Sequence, residues 1–222
     1  MSVGVLAVLV SWGVITGVDL VSFLQAMVAR PLVAATVAGA ILGDPGAGVL
    51  LGMVLELFAL EVLPVGGARY PDYGPAATAA SVVAAGGGAE ALGLGVVVGL
   101  AVAHIGEWTV VVLRRRNTRR VREAAAGLDA GDLHTIQRVQ LAGIARDAVR
   151  ALALTLGGIG LALAARRWPP VEGRAALLLL AVLVGIALAT AAMNARRLAP
   201  GRTGFAWLAV GLSGGIAWLV LR

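Results

Sequence analysis

The stretch LELFALEVLPVGGARYPDYGP, residues 55–75, sets Glu56 and Glu61 inside an apolar run. It then breaks into Pro64, the pair Gly66-Gly67, Arg69, Tyr70, Asp72 and Tyr73. Carboxylates, bare backbone and aromatic rings in one place are what a polyol site needs. Hydroxyls want carboxylate acceptors, and the C–H face of a sugar ring packs on an aromatic ring. A carboxylate at the centre of a bilayer costs roughly 2.5–3.5 kcal/mol, so it faces a cavity or a partner. Glu56 and Glu61 are separated by about 500° around a helix and do not share a face. Two uses stay open for them: lining a polar pocket, or pairing with Arg30 or Arg69 to lock two arms together. Segment 66–73 is open in the same way, as a sugar-binding break or as an ordinary loop with interfacial tyrosines.

Other polar groups interrupt apolar sequence. Trp12, Asp19, Ser22 and Gln25 fall in the first apolar arm. Ser22 and Gln25, three apart, would share a helix face and bond to a neighbouring helix. His104 and Glu107 have the same spacing and could relay protons or simply pack at an interface. Cysteine is absent and there are two histidines, so disulfides, thiolate nucleophiles and Cys-zinc sites are excluded and a metal site is not expected. No nucleophile elbow, phosphate-cradling loop or dinucleotide fingerprint occurs, and no cofactor is expected.

These groups sit in a very apolar chain. Of 222 residues, 59% are hydrophobic and only 14% charged, with a mean hydropathy of +0.92. A soluble domain runs near half apolar and a quarter charged, so the elements that hold the polar groups must be membrane helices of roughly 20 residues. Residues 91–113 read as the clearest span, ended by Arg114-Arg115-Arg116. Further spans are expected at about 148–165, 175–193 and 204–221. Small residues carry much of the hydrophobicity, and the i,i+4 pairs Gly39/Gly43, Gly48/Gly52, Gly95/Gly99 and Gly211/Gly215 would let helices approach closely.

The first ninety residues divide differently. From Pro31 to Leu42 the chain is too short to cross a core of roughly 30 Å. "GDPG" at 43–46 is a tight turn, and a second arm, 47–63, returns from it. Two short arms about a turn describe a re-entrant hairpin, tolerated at membrane depth where protein or a wet cavity surrounds it. Residues 74–89 form another short arm. The expected fold is therefore all-α and polytopic, with N-terminal re-entrant hairpins over residues 1–90. A transmembrane helix at 91–113, a basic cytoplasmic loop with an amphipathic helix at 114–147, and transmembrane helices over 148–222 complete it. The last three parts supply a C-terminal bundle of about four spans.

The net charge is +6 and every basic residue is Arg. Arginines crowd between Arg114 and Arg150, which the positive-inside rule places in the cytoplasm against anionic lipid. That segment has no aromatic residue, so nucleic-acid binding is not expected. Leu133, Ile136, Leu141 and Ile144, interleaved with arginines, would lie along the inner surface. No basic residue precedes Arg30, so no removable signal peptide is expected.

One long, ordered pattern is more specific. "RPLVAATVAGAILGDPGAGVLLGMVLELFALEVLPVGGARYPD", residues 30–72, resembles the mannose–fructose–sorbose family of phosphotransferase-system membrane subunits, component IIC. The resemblance lies in Arg-Pro-Leu, Leu-Gly-Asp, Leu-Glu, a Gly-rich break and Pro-Asp in that order. "AAAGLDAGDLHTIQRVQLAGIARD", 124–147, is similar to a later cytoplasmic segment of that family. The resemblance implies a multi-pass sugar permease subunit of the bacterial inner membrane with no catalysis of its own. It would be paired with a IID membrane subunit in an oligomer and served by soluble IIA and IIB phosphocarriers fed from phosphoenolpyruvate. By motif position it implies Glu56 and Asp72 as sugar-hydroxyl acceptors beside the Gly66-Gly67 backbone, with Trp12, Asp19, Gln25 and Tyr73 as further contacts. Glu61 departs from the family pattern, where Gly is more usual. A proton-coupled secondary transporter and a non-transporting membrane scaffold stay open beside this reading.

Overall fold

The computed structural model describes residues 1–23, 25–61, 68–167 and 173–198, with positions 206, 210 and 213. Gly66, Gly67 and most of the span expected at 204–221 lie outside the described residues. Among the described residues every element is helical: α1 Val3–Asp19, α2 Pro31–Ile41, α3 Pro45–Ala59, α4 Tyr73–Ala84, α5 Gly88–Glu123, α6 Ala125–Asp129, α7 Leu133–Ala165 and α8 Gly173–Leu198. By length and composition Glu90–Glu123, Leu133–Ala165 and Gly173–Asn194 are each able to cross a membrane.

The ends of these helices follow local chemistry. Ser2 caps α1 by accepting from Val5 N, and Asp44 caps α3 by accepting from Ala47 N at 3.0 Å. Pro31 and Pro45 open α2 and α3, where the missing N–H costs nothing. Between α2 and α3, Gly43 takes a φ of +85°, which glycine tolerates without a Cβ clash. The two arms are short and return on each other, as the turn signal at 43–46 implied.

The α2–α3 pair packs backbone to backbone. A Cβ on Gly48 would stand 2.4 Å from Ala35 O, and one on Gly52 would stand 2.8 Å from Leu32 Cα. The expected Gly48/Gly52 pair thus seats α3 on α2. Gly43 does no such packing, because it belongs to the turn. At the hairpin tip Asp44 Oδ2 also accepts from Gly86 N at 2.9 Å, tying the tip to the α4–α5 turn. Arg166, just past α7, donates to Val82 O near the same end, and Gly173 N donates to Glu90 there. At the opposite end gather the α1 C-terminus, the α2 N-terminus, the α3 C-terminus and the α4 N-terminus, beside the arginine-rich half of α5.

Two expected boundaries differ. The helix of span 91–113 does not stop at Arg114: α5 runs on to Glu123, because arginine is a good helix former and nothing before Ala124 breaks the ladder. The amphipathic stretch after Leu133 is not a separate element but the first part of α7, continuous with the apolar part to Ala165. Asp132 caps it through His134 N and Thr135 N. At about 1.5 Å per residue α5 is about 54 Å long, well beyond a hydrocarbon core of roughly 30 Å. Arg146 Nε donates to Asn117 Oδ1 at 2.9 Å, joining α7 to the α5 extension.

Candidate functional site

The helix ends on the arginine-rich side enclose a cavity of about 390 Å³. Asp19 and Gln25 line it from the end of α1 and the following loop, and Arg30 and Pro31 from the start of α2. Phe58, Ala59 and Glu61 come from the end of α3, and Tyr70, Pro71 and Tyr73 from the approach to α4. Two carboxylates, an amide, a guanidinium and two phenols thus share walls with Phe58 and Pro31, the mixture a hydroxyl-rich ligand with an apolar face requires. A larger cavity, about 660 Å³ beside α5, α7 and α8, is lined by apolar side chains apart from Glu90 and Arg166, and offers a polyol little.

The 20–30 loop is held from inside. Asp19, 2% exposed, accepts from Ala26 N at 2.7 Å through one carboxylate oxygen and from Ala29 N at 3.0 Å through the other. Between these anchors Gln25 has a φ of +51° and Met27 a φ of +63°, a left-handed backbone that non-glycine residues adopt only when their surroundings impose it. The cavity wall at Gln25 is therefore a constrained loop. Ser22 and Gln25 do not share a helix face, since α1 has already ended. Ser22 Oγ instead donates to Asp147 Oδ2.

Glu56 and Asp72, expected at a sugar site, are each paired with an arginine. Glu56 pairs with Arg30 and accepts from Leu32 N at 3.1 Å. It stabilises the α2 N-terminus and the cavity-lining guanidinium, without itself lining the cavity. Asp72 is fully buried. Its Oδ2 takes a 2.6 Å bond from Arg150 Nη1, and its backbone N–H donates to Ala103 O. The buried charge of Asp72 is met by the Arg150 guanidinium through Oδ2, while Oδ1 is buried with no hydrogen-bond partner among the described residues. Trp12 is also displaced from the site; its indole N–H donates to Ala34 O at 3.0 Å and pins α1 to α2. Asp19, Gln25 and Tyr73 do line the cavity, and Glu61, for which pocket lining and arginine pairing were both open, joins them. His104 faces its own helix, Nδ1 lying 2.8 Å from Leu100 O.

Beside the cavity lies a buried polar network whose members are far apart in the chain. Arg150 donates through Nε to Asp147 at 2.7 Å, through Nη1 to Asp72 and to Thr109 at 3.2 Å, and through Nη2 to Gly17 O at 3.0 Å. One guanidinium thereby links α7 to α1, to α5 and to the start of α4. A second arginine holds the cavity's loop: Arg114 donates to Ala68 O at 2.7 Å and to Tyr70 Oη at 2.9 Å, with its guanidinium 5.1 Å from the Tyr70 ring centre. Arg69 stands 5.7 Å from the ring centre of Trp108.

Known proteins resemble this one in sequence and fold. A sorbose-specific EIIC component of a phosphotransferase system from Lacticaseibacillus casei is 38% identical over 85 residues, covering 38% of this chain and 30% of that protein. The fructose permease IIC component of Bacillus subtilis (strain 168) is 31% identical over 127 residues, 57% of this chain and 47% of that one. A mannose-specific EIIC component from Escherichia coli (strain K12) is 27% identical over 121 residues, 54% of this chain and 45% of that one. The chain thus spans less than half the length of these relatives. Among solved structures, one described only as a membrane protein matches with a TM-score of 0.73 at 19% identity, over 100% of this chain and 96% of that one. A complex of the mannose transporter ManYZ with a microcin matches with a TM-score of 0.62 at 19% identity, over 97% of this chain and 87% of that one. The match that decides identity is the EII-Sor family model, which takes in residues 3–210: the chain belongs to the family of sorbose-specific IIC components of the phosphotransferase system.

Proposed function

We propose that this chain is the sugar-translocating IIC subunit of a phosphoenolpyruvate-dependent phosphotransferase system in a bacterial inner membrane. It works beside a IID membrane subunit in an oligomer, and soluble IIA and IIB subunits carry out the phosphoryl transfer. The observation that carries the reading is the cavity: a polar chamber of about 390 Å³, walled by Asp19, Gln25, Arg30, Glu61, Tyr70 and Tyr73, set among helices that are otherwise apolar. Its volume falls within the roughly 300–1,000 Å³ of small-molecule sites. The positive-inside rule makes the arginine-rich end cytoplasmic, so the cavity in this conformation lies toward the side where a phosphocarrier waits.

The solute is a hexose-type sugar. Glu61, Gln25 and the tyrosine hydroxyls receive and donate hydroxyl hydrogen bonds, and the Tyr73 and Phe58 rings take its C–H face. Translocation is alternating access by a broken-helix site. The buried Arg150 bonds bind α7 to α1 and to the α4 entrance, so these elements move together with the cavity. The outward apolar face of α8, with Leu178, Val182 and Ile186 exposed, meets lipid or the IID subunit.

The test is coupling. In vesicles holding this chain and its IID partner, with soluble phosphocarriers inside, sugar is expected to arrive phosphorylated and only with phosphoenolpyruvate present. Arrival of unmodified sugar, abolished by a protonophore, would instead mark a proton-coupled carrier.

A further inference from the structure

We infer that the extension built by the end of α5, α6 and the start of α7 is the docking surface for a soluble protein presenting an acidic, phosphoryl-bearing patch. The inference rests on the reading above that a phosphocarrier serves this chain, and it locates where that carrier lands.

A groove of about 460 Å³ separates the end of α5 from the start of α7, and Arg120, Arg138, Arg146, Thr135 and Glu123 line it. Arg116 and Arg146 also face the adjoining cleft nearer the membrane. Arg116 and Arg120 stand one turn apart on α5, while Arg138 and Arg146 share a face of α7, so the four make one basic strip across both helices. Little acid offsets it. Glu123 is engaged by Arg119 at 2.8 Å and Arg120 at 2.9 Å, and the Asp132 oxygens are taken by its own helix cap. Arg116 and Arg138 make no hydrogen bond or ion pair with any described residue, although the charge of Asp132 acts on Arg138. Arg146 is aimed by a neutral partner, Asn117, and keeps its full charge for a ligand.

Lipid accounts for only the base of this strip. Past Leu113, Arg120 lies roughly 10 Å farther along the helix, beyond direct contact with a headgroup layer roughly 5–8 Å deep, though within the roughly 8 Å over which lipid charge is felt. Arg138 lines the same groove from α7. Nucleic acid fits poorly, for no aromatic residue lies between Arg114 and Arg150 to stack on a base. Guanidinium groups spaced along a groove suit carboxylates and a phosphoryl group, which they bind in two-point fashion. The root of the same helix holds the cavity, because Arg114 bonds Ala68 O and Tyr70 Oη. A protein seated on the strip therefore sits beside the exit of the sugar.

The test uses nanodiscs of this chain with its IID partner and measures binding of the cognate phosphorylated IIB subunit at low and high salt. Arg120→Glu with Arg138→Glu is expected to weaken IIB binding by about tenfold or more and to flatten its salt dependence. Arg120→Lys with Arg138→Lys, which keeps the charge, is expected to stay within about threefold of wild type. Sugar binding to all three proteins should be the same, showing that the charge-reversed protein is folded. Wild-type IIB affinity in the charge-reversed protein would overturn the inference. So would a defect seen in discs containing phosphatidylglycerol but not in discs of phosphatidylcholine alone, which would make the strip a lipid contact. Absence of IIB binding to the wild type would overturn the phosphotransferase reading itself, and this inference with it.

Discussion

Arg150 is the residue on which the interior depends most. It is 9% exposed and lies between Asp72 and Asp147, both fully buried. Removing the cation leaves two carboxylates without a counterion in a dry interior, and breaking a buried pair costs about 3–5 kcal/mol. Arg150→Met should lower unfolding stability in detergent by about that amount, read from the denaturant midpoint of the purified chain. Asp72→Asn should cost less, because Arg150 keeps Asp147. Equal losses for the two variants would show that the guanidinium is not the hub. The polar residues themselves were legible: Asp72, Glu56, Asp19 and Gln25 stood out as polar groups among apolar neighbours. Their partners were not. Arg150 follows Asp72 by 78 positions, and its place in an arginine-rich stretch read as one more cytoplasmic charge. Only the packing of α7 against α1 and α4 reveals that this arginine, unlike those at 115–122, points inward.

At the scale of elements, the hairpin and the long helices each answer to a small number of residues. Gly48 lies where a Cβ would stand 2.4 Å from Ala35 O, a backbone atom that has no side-chain freedom to yield. Gly48→Ala should therefore push α3 from α2 and destabilise the protein by about 1–3 kcal/mol, as overpacking does. Gly157, which has open space where a Cβ would go, should accept Ala with little loss, and thermal unfolding of the two variants compares them. The α7 cap gives a pH signature. The Thr135 hydroxyl, then the His134 and Thr135 N–H groups, hold the Asp132 carboxyl below the usual carboxylate range. A folded value below the unfolded one means that the cap's stabilisation is present above the unfolded value. It is lost as pH falls through the folded one. Amide protection at the start of α7, taken relative to the intrinsic exchange rate at each pH, should fall only below about pH 4, and Asp132→Ala should show the lowered protection at neutral pH. The turn at 43–46 and the short arms were readable because Gly and Pro impose backbone geometry locally. The reach of α5 was not, since a charged run marks the membrane edge without marking a helix end.

For the whole molecule, the arrangement joins three parts in one line: a hairpin tip tied at one end, a polar cavity toward the other, and an arginine-rich extension beyond it. The all-helical, apolar class was legible from composition and periodicity. The cavity was only half legible, because its walls come from four separate helix ends and the loop after α1, and nothing local brings Asp19 to Glu61. The central claim is that this cavity receives the sugar. The chain has no cysteine, so single cysteines report on it cleanly. Ala59, on the cavity wall, and Thr118, exposed on the α5 extension, give the two positions. With Ala59→Cys in membranes containing the IID partner, the maleimide labelling rate is measured with and without saturating mannose, fructose or sorbose. One of these sugars should slow labelling at position 59 severalfold and leave Thr118→Cys unchanged. Labelling at position 59 that no transported sugar alters would contradict the account.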